Sequence, residues 1–276
     1  MLSRRAFILT TVLGSSALAR EARLPGAVVL VIADRAAPLP QALTAQAARF
    51  TRCYSADPDA VRGRNAILHG RFPHLGGITG DPGGTSLTEV LKTAGIPCTV
   101  LSQPVFAAPD DTLLILTAAR AGDDESWFDR STQVPLLFLW PHRIAPVELD
   151  LLVSAVDIMP TVLGLCGLLA PEGLQGQDLS PWLMRGAGKH PESVYSEGRI
   201  GTRESWRMIV RGLDKLVFTP RLDILHLYNL GQDPGETTDL ARDPAQQRKC
   251  DELTAIATDW MRRLGDHMDP SGLKRR

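Results

Sequence analysis

Continuous apolar runs and segments of helical periodicity follow one another along the first part of the chain. Residues 27–33 are apolar throughout and end at Asp34, and residues 113–116 and 134–140 form similar runs. Such runs predict strands that are buried on both faces, as in a parallel sheet covered by helices. Helical periodicity predicts helices at residues 39–50, 64–69, 86–93 and 156–164.

This succession of strands and helices predicts an α/β fold with a mostly parallel central sheet flanked by helices. Ligands of such folds bind at the carboxyl ends of the strands, so Asp34 stands at a position where chemistry is expected. Ser86 is followed three residues later by Glu89, which predicts a capping box at the start of a helix.

The composition changes after residues 171–191, which are rich in glycine and proline. We therefore predict an α/β domain at residues 20–185 and a smaller α+β subdomain at residues 186–276. Short apolar runs predict strands in this subdomain at residues 194–195, 206–210, 215–218 and 225–228. A final helix at residues 244–264 is predicted to place Leu253, Ile256, Ala257 and Trp260 on one face.

Residues 1–19 have the features of an export signal. Arg4 and Arg5 precede a short apolar stretch, and small residues end at Ala19, as expected before a cleavage site. The order Ser-Arg-Arg-x-Phe-Ile resembles a twin-arginine signal, and an ordinary secretory signal is the alternative. The predicted location is therefore periplasmic or secreted. No apolar run reaches the ~18 residues of a membrane span, so none is predicted.

Charge and cysteine content narrow the class of protein further. The 276 residues carry 30 Lys+Arg and 31 Asp+Glu, and 44% of them are hydrophobic. Near-zero net charge argues against a general nucleic-acid binder, and the apolar content excludes a disordered chain. The four cysteines are too far apart for a CxxC metal site, and export would permit disulfides whose connectivity stays open. They are Cys53, Cys98, Cys166 and Cys250.

Several segments, in order, resemble the sulfatases of the alkaline phosphatase superfamily. Residues 29–34 are similar to the first strand of that family, which ends in a metal-binding Asp-Asp pair. Residues 64–74, Arg-Asn-Ala-Ile-Leu-His-Gly-Arg-Phe-Pro-His, are similar to the end of the sulfatase signature. The resemblance implies the fold of that superfamily and an ancestral sulfuric ester hydrolase activity. Further similar segments are residues 38–50, 51–55, 91–95, 110–117, 134–141, 156–163, 173–176, 227–230 and 233–240.

The resemblance also implies a nucleophile, a Cys or Ser converted to formylglycine, four residues before Arg64. That position is Ala60, which has no group to oxidise and no group that can attack. Cys53 is nearby, but it falls where the family has a small packing residue. A buried thiol or a disulfide partner is the simpler interpretation of Cys53, with a substitute nucleophile as the alternative.

The family's calcium site is predicted to be degraded, so no cofactor is expected. Asp34 is retained, but Arg35 stands at the second carboxylate position. The later Asp-His or Asp-Asn pair is replaced by Ala119-Arg120. Asp123 and Asp124 take the place of this pair only if the loop shifts by several residues. The alternative is that they belong to an acidic turn exposed to solvent.

The segment that follows residues 91–95 has lost further catalytic groups. Gln103 and Val105 stand where the family has a lysine and a histidine. The long middle segment of the family is replaced by residues 106–109, which connect directly to the next predicted strand.

These losses predict an exported sulfatase-fold protein that no longer hydrolyses sulfate esters. Arg64 is the one catalytic group retained beside Asp34. One hypothesis is that guanidinium groups near the helix start bind sulfate, phosphate or a sulfated glycan. The alternative is that, after loss of the metal, these arginines point to solvent or pair with Asp34 and Asp123. The alternatives are a divergent active sulfatase or phosphoesterase, an inert partner subunit of an active sulfatase, and a decayed gene product. The predicted anion-binding residues are Arg35, Arg62, Arg64 and Arg120.

Overall fold

A six-stranded sheet forms the centre of the larger part of the molecule. The computed structural model describes residues 24–103, 105 and 109–266. The strand order in the sheet is β3-β1-β4-β5-β2-β6. These strands are β1 (Ala27–Arg35), β2 (Ala48–Tyr54), β3 (Cys98–Leu101), β4 (Thr112–Arg120), β5 (Gln133–Leu139) and β6 (Val147–Ser154).

The sheet is mixed, with parallel pairs on both sides of one antiparallel strand. β1 is parallel to β3 and β4, and β2 is parallel to β6. β5 runs antiparallel to both of its neighbours, β4 and β2. The predicted α/β class is confirmed, and so is the strand at residues 134–140. The expectation that this run lies parallel to its neighbours is wrong, because an apolar run reports burial on both faces and not direction.

Helices flank this sheet, and α2, α3 and α5 lie where the apolar periodicity predicts them. The predicted capping box is confirmed, since Ser86 Oγ accepts from the backbone N–H of Glu89 while the Glu89 carboxylate accepts from that of Ser86. The helices are α1 (Gln41–Thr44), α2 (Ala60–His69), α3 (Leu87–Thr93), α4 (Asp129–Thr132), α5 (Ile158–Leu165), α6 (Ser180–Arg185) and α7 (Gln247–Leu264). Short 3-10 helices lie at Pro73–Thr79, Ala155–Asp157 and Pro244–Gln246.

The helix predicted over residues 39–50 is wrong for most of its length. Only α1 is helical, and Ala48 already begins β2. β2 exchanges backbone hydrogen bonds with β5 on one side and β6 on the other. Pairing on both edges outweighs the helix propensity of this alanine-rich segment, because propensity differences amount to less than about 1 kcal/mol per residue.

Side chains on one face of the sheet form the main core with the helices packed against it. Leu30 and Ile32 of β1 and Ile115 of β4 are fully buried together with Ile67 of α2. Each such side chain contributes roughly 1.5–3 kcal/mol when it leaves water. This packing fixes α2 against the ends of β1 and β4.

A second, antiparallel sheet forms the C-terminal part, in the order β10-β9-β8-β7. All four of its strands and the final helix occur where the sequence predicts them. α7 and this sheet share a core with Phe72, which follows α2, so both parts pack together. The predicted domain boundary at residue 185 falls at the end of α6. The strands are β7 (Ser193–Gly198), β8 (Trp206–Arg211), β9 (Asp214–Phe218) and β10 (Ile224–Asn229).

Among the described residues, no helix is both long enough and apolar enough to cross a membrane. The predicted export signal at residues 1–19 lies outside the described residues.

Candidate functional site

The start of α2 lies where the resemblance places a nucleophile. Asp59 is the N-cap residue, and its Oδ1 accepts hydrogen bonds from the backbone N–H groups of Val61 (3.0 Å) and Arg62 (2.8 Å). This carboxylate occupies the position at which a helix dipole favours an anion. The Asp59 side chain therefore occupies two of the backbone N–H groups that would otherwise be available to an anionic ligand at this helix start.

Gly63 allows α2 to approach the end of β4 closely. A Cβ atom on Gly63 would lie 2.5 Å from the Ala119 carbonyl oxygen and 2.7 Å from that of Asp57. The Ser55 hydroxyl donates to the same two carbonyls, at 2.5 Å and 2.7 Å. The start of α2 and the carboxyl end of β4 are therefore held together through backbone groups.

Neither candidate nucleophile offers a reactive group here. Ala60 is the first residue of α2 and presents only a methyl group. Cys53 is completely buried in β2, and its burial raises the pKa of its thiol well above the ordinary value. A thiol that stays protonated inside a core is a poor nucleophile. All four cysteines are free thiols.

Arg35 and Arg120 meet at the carboxyl ends of neighbouring strands. They lie opposite each other in the parallel register of β1 and β4. Asp123 contacts both, because its carboxylate lies 2.5 Å from Arg35 Nη1 and its backbone carbonyl 3.3 Å from Arg120 Nη1. Arg120 Nε is buried and has no hydrogen-bond partner among the described residues. Two guanidinium groups thus contact Asp123, one through its carboxylate and the other through its backbone carbonyl, and the Nε donor of Arg120 has no partner among the described residues.

Arg64 reaches the same strand from the other side. Its Nη1 donates to the carbonyl oxygen of Ile32 at 3.1 Å, two residues before Asp34. Asp34 itself is exposed at the end of β1. Because alternate residues of a strand point to opposite faces, Asp34 leaves β1 on the α2 side and Arg35 on the other.

Arg62 is bound by two carboxylates. Its Nε donates to Asp57 at 2.7 Å and its Nη2 to Glu125 at 3.1 Å. Burial raises the pKa of Asp57 to about 7, although the hydrogen bond and the charge of Arg62 act in the opposite direction. Of the four arginines predicted to bind an anion, Arg62 is the one whose guanidinium already has two acidic partners.

The acidic side chains of the site do not form the ligand set that calcium needs. Asp34 offers one carboxylate beside Arg35, Asp123 is paired with Arg35, and Asp124 accepts from Ser126 at 2.8 Å. Calcium takes six to eight oxygen ligands, so the residues present do not fit it. Among the described residues, one group of three side chains is close enough to share a metal. It consists of His74, Glu197 and Asp266 and lacks Asp34.

Three acidic residues of the site were not identified from the sequence: Asp57, Asp59 and Glu125. Two of them, Asp57 and Glu125, bind Arg62. Asp59 carries an ordinary N-cap signal, an Asp directly before a helix, which could have been recognised. Glu125 and Asp57 carry no such signal, since their contacts with Arg62 depend on the folded chain. Gln103 is exposed, and residues 104 and 106–108 lie outside the described part of the chain.

Comparison with known proteins finds similarity to sulfatases. Residues 122–261 match the family described as N-sulphoglucosamine sulphohydrolase, C-terminal. A Delta 4,5-hexuronate-2-O-sulfatase of Bacteroides thetaiotaomicron is 29% identical over 152 residues, which cover 51% of this chain and 31% of that protein. Arylsulfatase K of Danio rerio is 32% identical over 143 residues, covering 49% and 27%.

Solved structures give the same result for the fold. A 2-O GAG sulfatase superimposes with a TM-score of 0.76 at 15% identity, covering 91% of this chain and 94% of that one. A putative sulfatase from Bacteroides thetaiotaomicron superimposes with a TM-score of 0.73 at 14% identity, covering 92% and 97%. The aligned region spans less than a third of the length of the two curated relatives.

Proposed function

The chain belongs to the sulfatase family, and from that premise we propose that it binds a sulfated glycan without hydrolysing it. Loss of hydrolysis is supported by Ala60, because sulfate transfer requires a nucleophile and a methyl group cannot act as one. The single carboxylate of Asp34 beside Arg35 supports the same conclusion, because among the described residues no group of three possible metal ligands includes Asp34.

Retention of ligand binding is supported by the arginines at the ends of β1 and β4. Arg120 has a buried Nε donor without a partner, and a sulfate oxygen would accept from it. The ion pair between Arg35 and Asp123 is exposed, with side-chain exposures of 55% and 74%. Such pairs are weak, so a sulfate group can displace Asp123 from Arg35. Arg35 and Arg120 therefore bind the sulfate in this proposal, whereas Arg64 contacts β1 from the α2 side.

The choice of a sulfated glycan over free sulfate is supported by a structural relative. A solved protein of 19% identity and TM-score 0.53 is described in complex with its substrate D-glucosamine-2-N,6-O-disulfate. Inorganic sulfate and phosphate share the anionic group but lack the sugar, so they serve as the comparison ligands in the test.

We expect sulfated disaccharides to bind in isothermal titration calorimetry, equally well with and without EDTA. Arg120→Ala should weaken binding about tenfold or more, since hydrogen bonds to charged groups contribute about 1.5–3 kcal/mol. Asp123→Asn should strengthen it, because the competing carboxylate loses its charge.

Arg248→Ala is the matched control, as Arg248 forms an exposed ion pair with Glu252 far along the chain in α7 and should not affect affinity. Absence of heat at millimolar ligand would contradict the proposal. Weaker binding by Asp123→Asn, or loss of binding in EDTA, would instead indicate a site built around a cation.

No turnover of nitrophenyl sulfate or nitrophenyl phosphate is expected, with calcium or manganese added. Ala60→Cys alone should also stay inactive, because Arg35 still occupies the place of a second carboxylate. The measurement is release of nitrophenol over hours at high protein concentration. Turnover that disappears in Arg64→Ala would support the divergent hydrolase instead, and turnover that survives this substitution would place an active site elsewhere.

A further inference from the structure

A buried polar cluster joins the segment after α2 to the C-terminal sheet and the end of α7. His74 lies in the 3-10 helix Pro73–Thr79, and its side chain is only 7% exposed. Around it are Glu197 of β7, Arg207 of β8 and Asp266 directly after α7, whose side chains are 0–5% exposed. None of these residues takes part in the proposed sulfate binding.

Both ring nitrogens of His74 face hydrogen-bond acceptors. Nδ1 lies 2.9 Å from Oε2 of Glu197, and Nε2 lies 3.3 Å from the backbone carbonyl oxygen of Leu264. The backbone N–H of His74 donates to the other oxygen of Glu197 at 2.8 Å. Neither a carbonyl oxygen nor an ionised carboxylate can donate, so with Glu197 ionised both contacts are hydrogen bonds only when the ring carries two protons.

The charges of the cluster balance only with a protonated His74. Arg207 donates to Asp266 at 2.6 Å and lies 3.5 Å from Glu197, so one cation faces two carboxylates. The Tyr195 hydroxyl, on β7, donates to Asp266 without adding charge. The remaining negative charge is neutralised by the imidazolium and is uncompensated when the ring is neutral, which is costly for buried groups.

Further polar groups lie around the cluster formed by His74, Glu197, Arg207 and Asp266. The Leu264 carbonyl also accepts from Gln175 Nε2 at 3.3 Å. Asp57, before α2, is the next carboxylate outward and interacts with Glu197, but it is already bound by Arg62. Asp57 has a pKa of about 7 and gains a negative charge in the same pH range, so a variant of His74 is needed to separate the two titrations.

A bound metal ion is a poorer explanation of the same geometry. Ligand atoms of His74, Glu197 and Asp266 lie within 4.8 Å of one another, which a divalent ion could span. However, Arg207 already contacts both carboxylates, and its positive charge repels a cation. The guanidinium therefore supplies the charge that a metal would supply.

We propose that His74 is a pH-sensitive latch that holds the last turn of α7 when the imidazole is protonated. When His74 loses its Nε2 proton, the ring no longer donates to the Leu264 carbonyl. The buried carboxylates of Glu197 and Asp266 then carry one more negative charge than Arg207 neutralises. The last turn of α7 buries Trp260, Met261 and Leu264 against the second sheet, so its release exposes apolar surface.

The direction of the pH dependence follows from the surroundings of the ring. Burial by itself lowers the pKa of His74, but the hydrogen bond and charge of Glu197 outweigh it and raise the pKa above 6.5. A raised pKa means that protonation stabilises the folded state. The stabilisation is complete below pH 6.5 and is lost as the pH rises through the higher pKa of the folded protein.

Hydrogen exchange of the full chain tests the latch between pH 6 and pH 9. After correction for intrinsic exchange, protection factors of amides in residues 260–266 should fall about tenfold or more, since a hydrogen bond from a charged donor contributes about 1.5–3 kcal/mol. In His74→Gln this fall should disappear, because glutamine does not titrate. His226→Gln is the matched control, as His226 also pairs with a carboxylate (Asp239, 2.8 Å) but is exposed. In His226→Gln the protection factors of residues 260–266 should still fall as the pH rises.

Four results would overturn the proposal. One is a protection factor of the last turn that does not change with pH, and another is the same fall in His74→Gln. If that variant does not fold, NMR of the unaltered protein decides, since a neutral His74 ring at pH 6 also contradicts the latch. Stabilisation by added Zn²⁺ at pH 8, as a rise in the melting temperature, would show a metal site instead.

Discussion

Lys215→Met is expected to lower the free energy of unfolding by about 3–5 kcal/mol, the range for breaking a buried ion pair from one side. Lys215 is completely buried in β9. Its Nζ donates to the carboxylates of Glu236, at 2.7 Å, and Asp129, and to the Trp127 carbonyl at 2.9 Å. Methionine fills a similar volume, so the loss reports the uncompensated carboxylates and not a cavity.

Urea denaturation at pH 7 measures this effect. Lys249→Met is the matched control, because Lys249 pairs with Asp214 at 2.9 Å but is 33% exposed. This control should lose no more than about 1 kcal/mol. Glu236→Gln combined with Lys215→Met should cost less than the two single changes together, since the residues share one interaction. Equal losses in Lys215→Met and Lys249→Met would show that burial does not decide the strength of these pairs.

The same cluster explains how the second sheet supports the site. Trp127 and Asp129 follow directly on the loop that carries Asp123 and Glu125. Lys215 therefore fastens the end of that loop to β9, and Trp206 Nε1 donates to the Glu125 carbonyl at 3.0 Å. The C-terminal subdomain thus holds the acidic loop that contacts Arg35 and Arg62.

Gly63→Ala is expected to cost a net of about 2 kcal/mol of stability and to weaken sulfate binding. The new methyl group would lie 2.5 Å from one backbone carbonyl oxygen and 2.7 Å from another, and backbone atoms cannot rotate away. Overpacking costs about 1–3 kcal/mol, and the high end applies where the neighbours are rigid. Alanine regains about 1 kcal/mol of helix propensity, so a net loss indicates a steric clash larger than this gain.

The control for Gly63 is a glycine with space around it. A Cβ on Gly235 would approach Thr237 no closer than 3.5 Å, so Gly235→Ala should leave stability and affinity nearly unchanged. Urea denaturation and calorimetry with a sulfated disaccharide measure both effects. A Gly63→Ala protein as stable as the original would mean that α2 can move away from β4 without cost.

The amino-acid sequence determined much of the fold because the decisive signals are local. Uninterrupted apolar runs identified β1 and β4, and Ser86 with Glu89 identified the start of α3. The residue at the expected nucleophile position is also set locally, since Ala60 lies four residues before Arg64. By contrast, residues 39–50 have helical periodicity and yet end in β2, because pairing with β5 and β6 depends on distant segments.

Only the tertiary structure decided what each arginine of the site does. Four arginines looked equivalent in the sequence, but Arg62 is bound by Asp57 and Glu125, whereas Arg120 keeps an unpaired donor. Arg35 meets Asp123, which lies 88 residues further along the chain. A local pattern fixes the identity and spacing of charged groups, but the strength of a charge depends on its burial and on partners that only folding brings within a few ångströms.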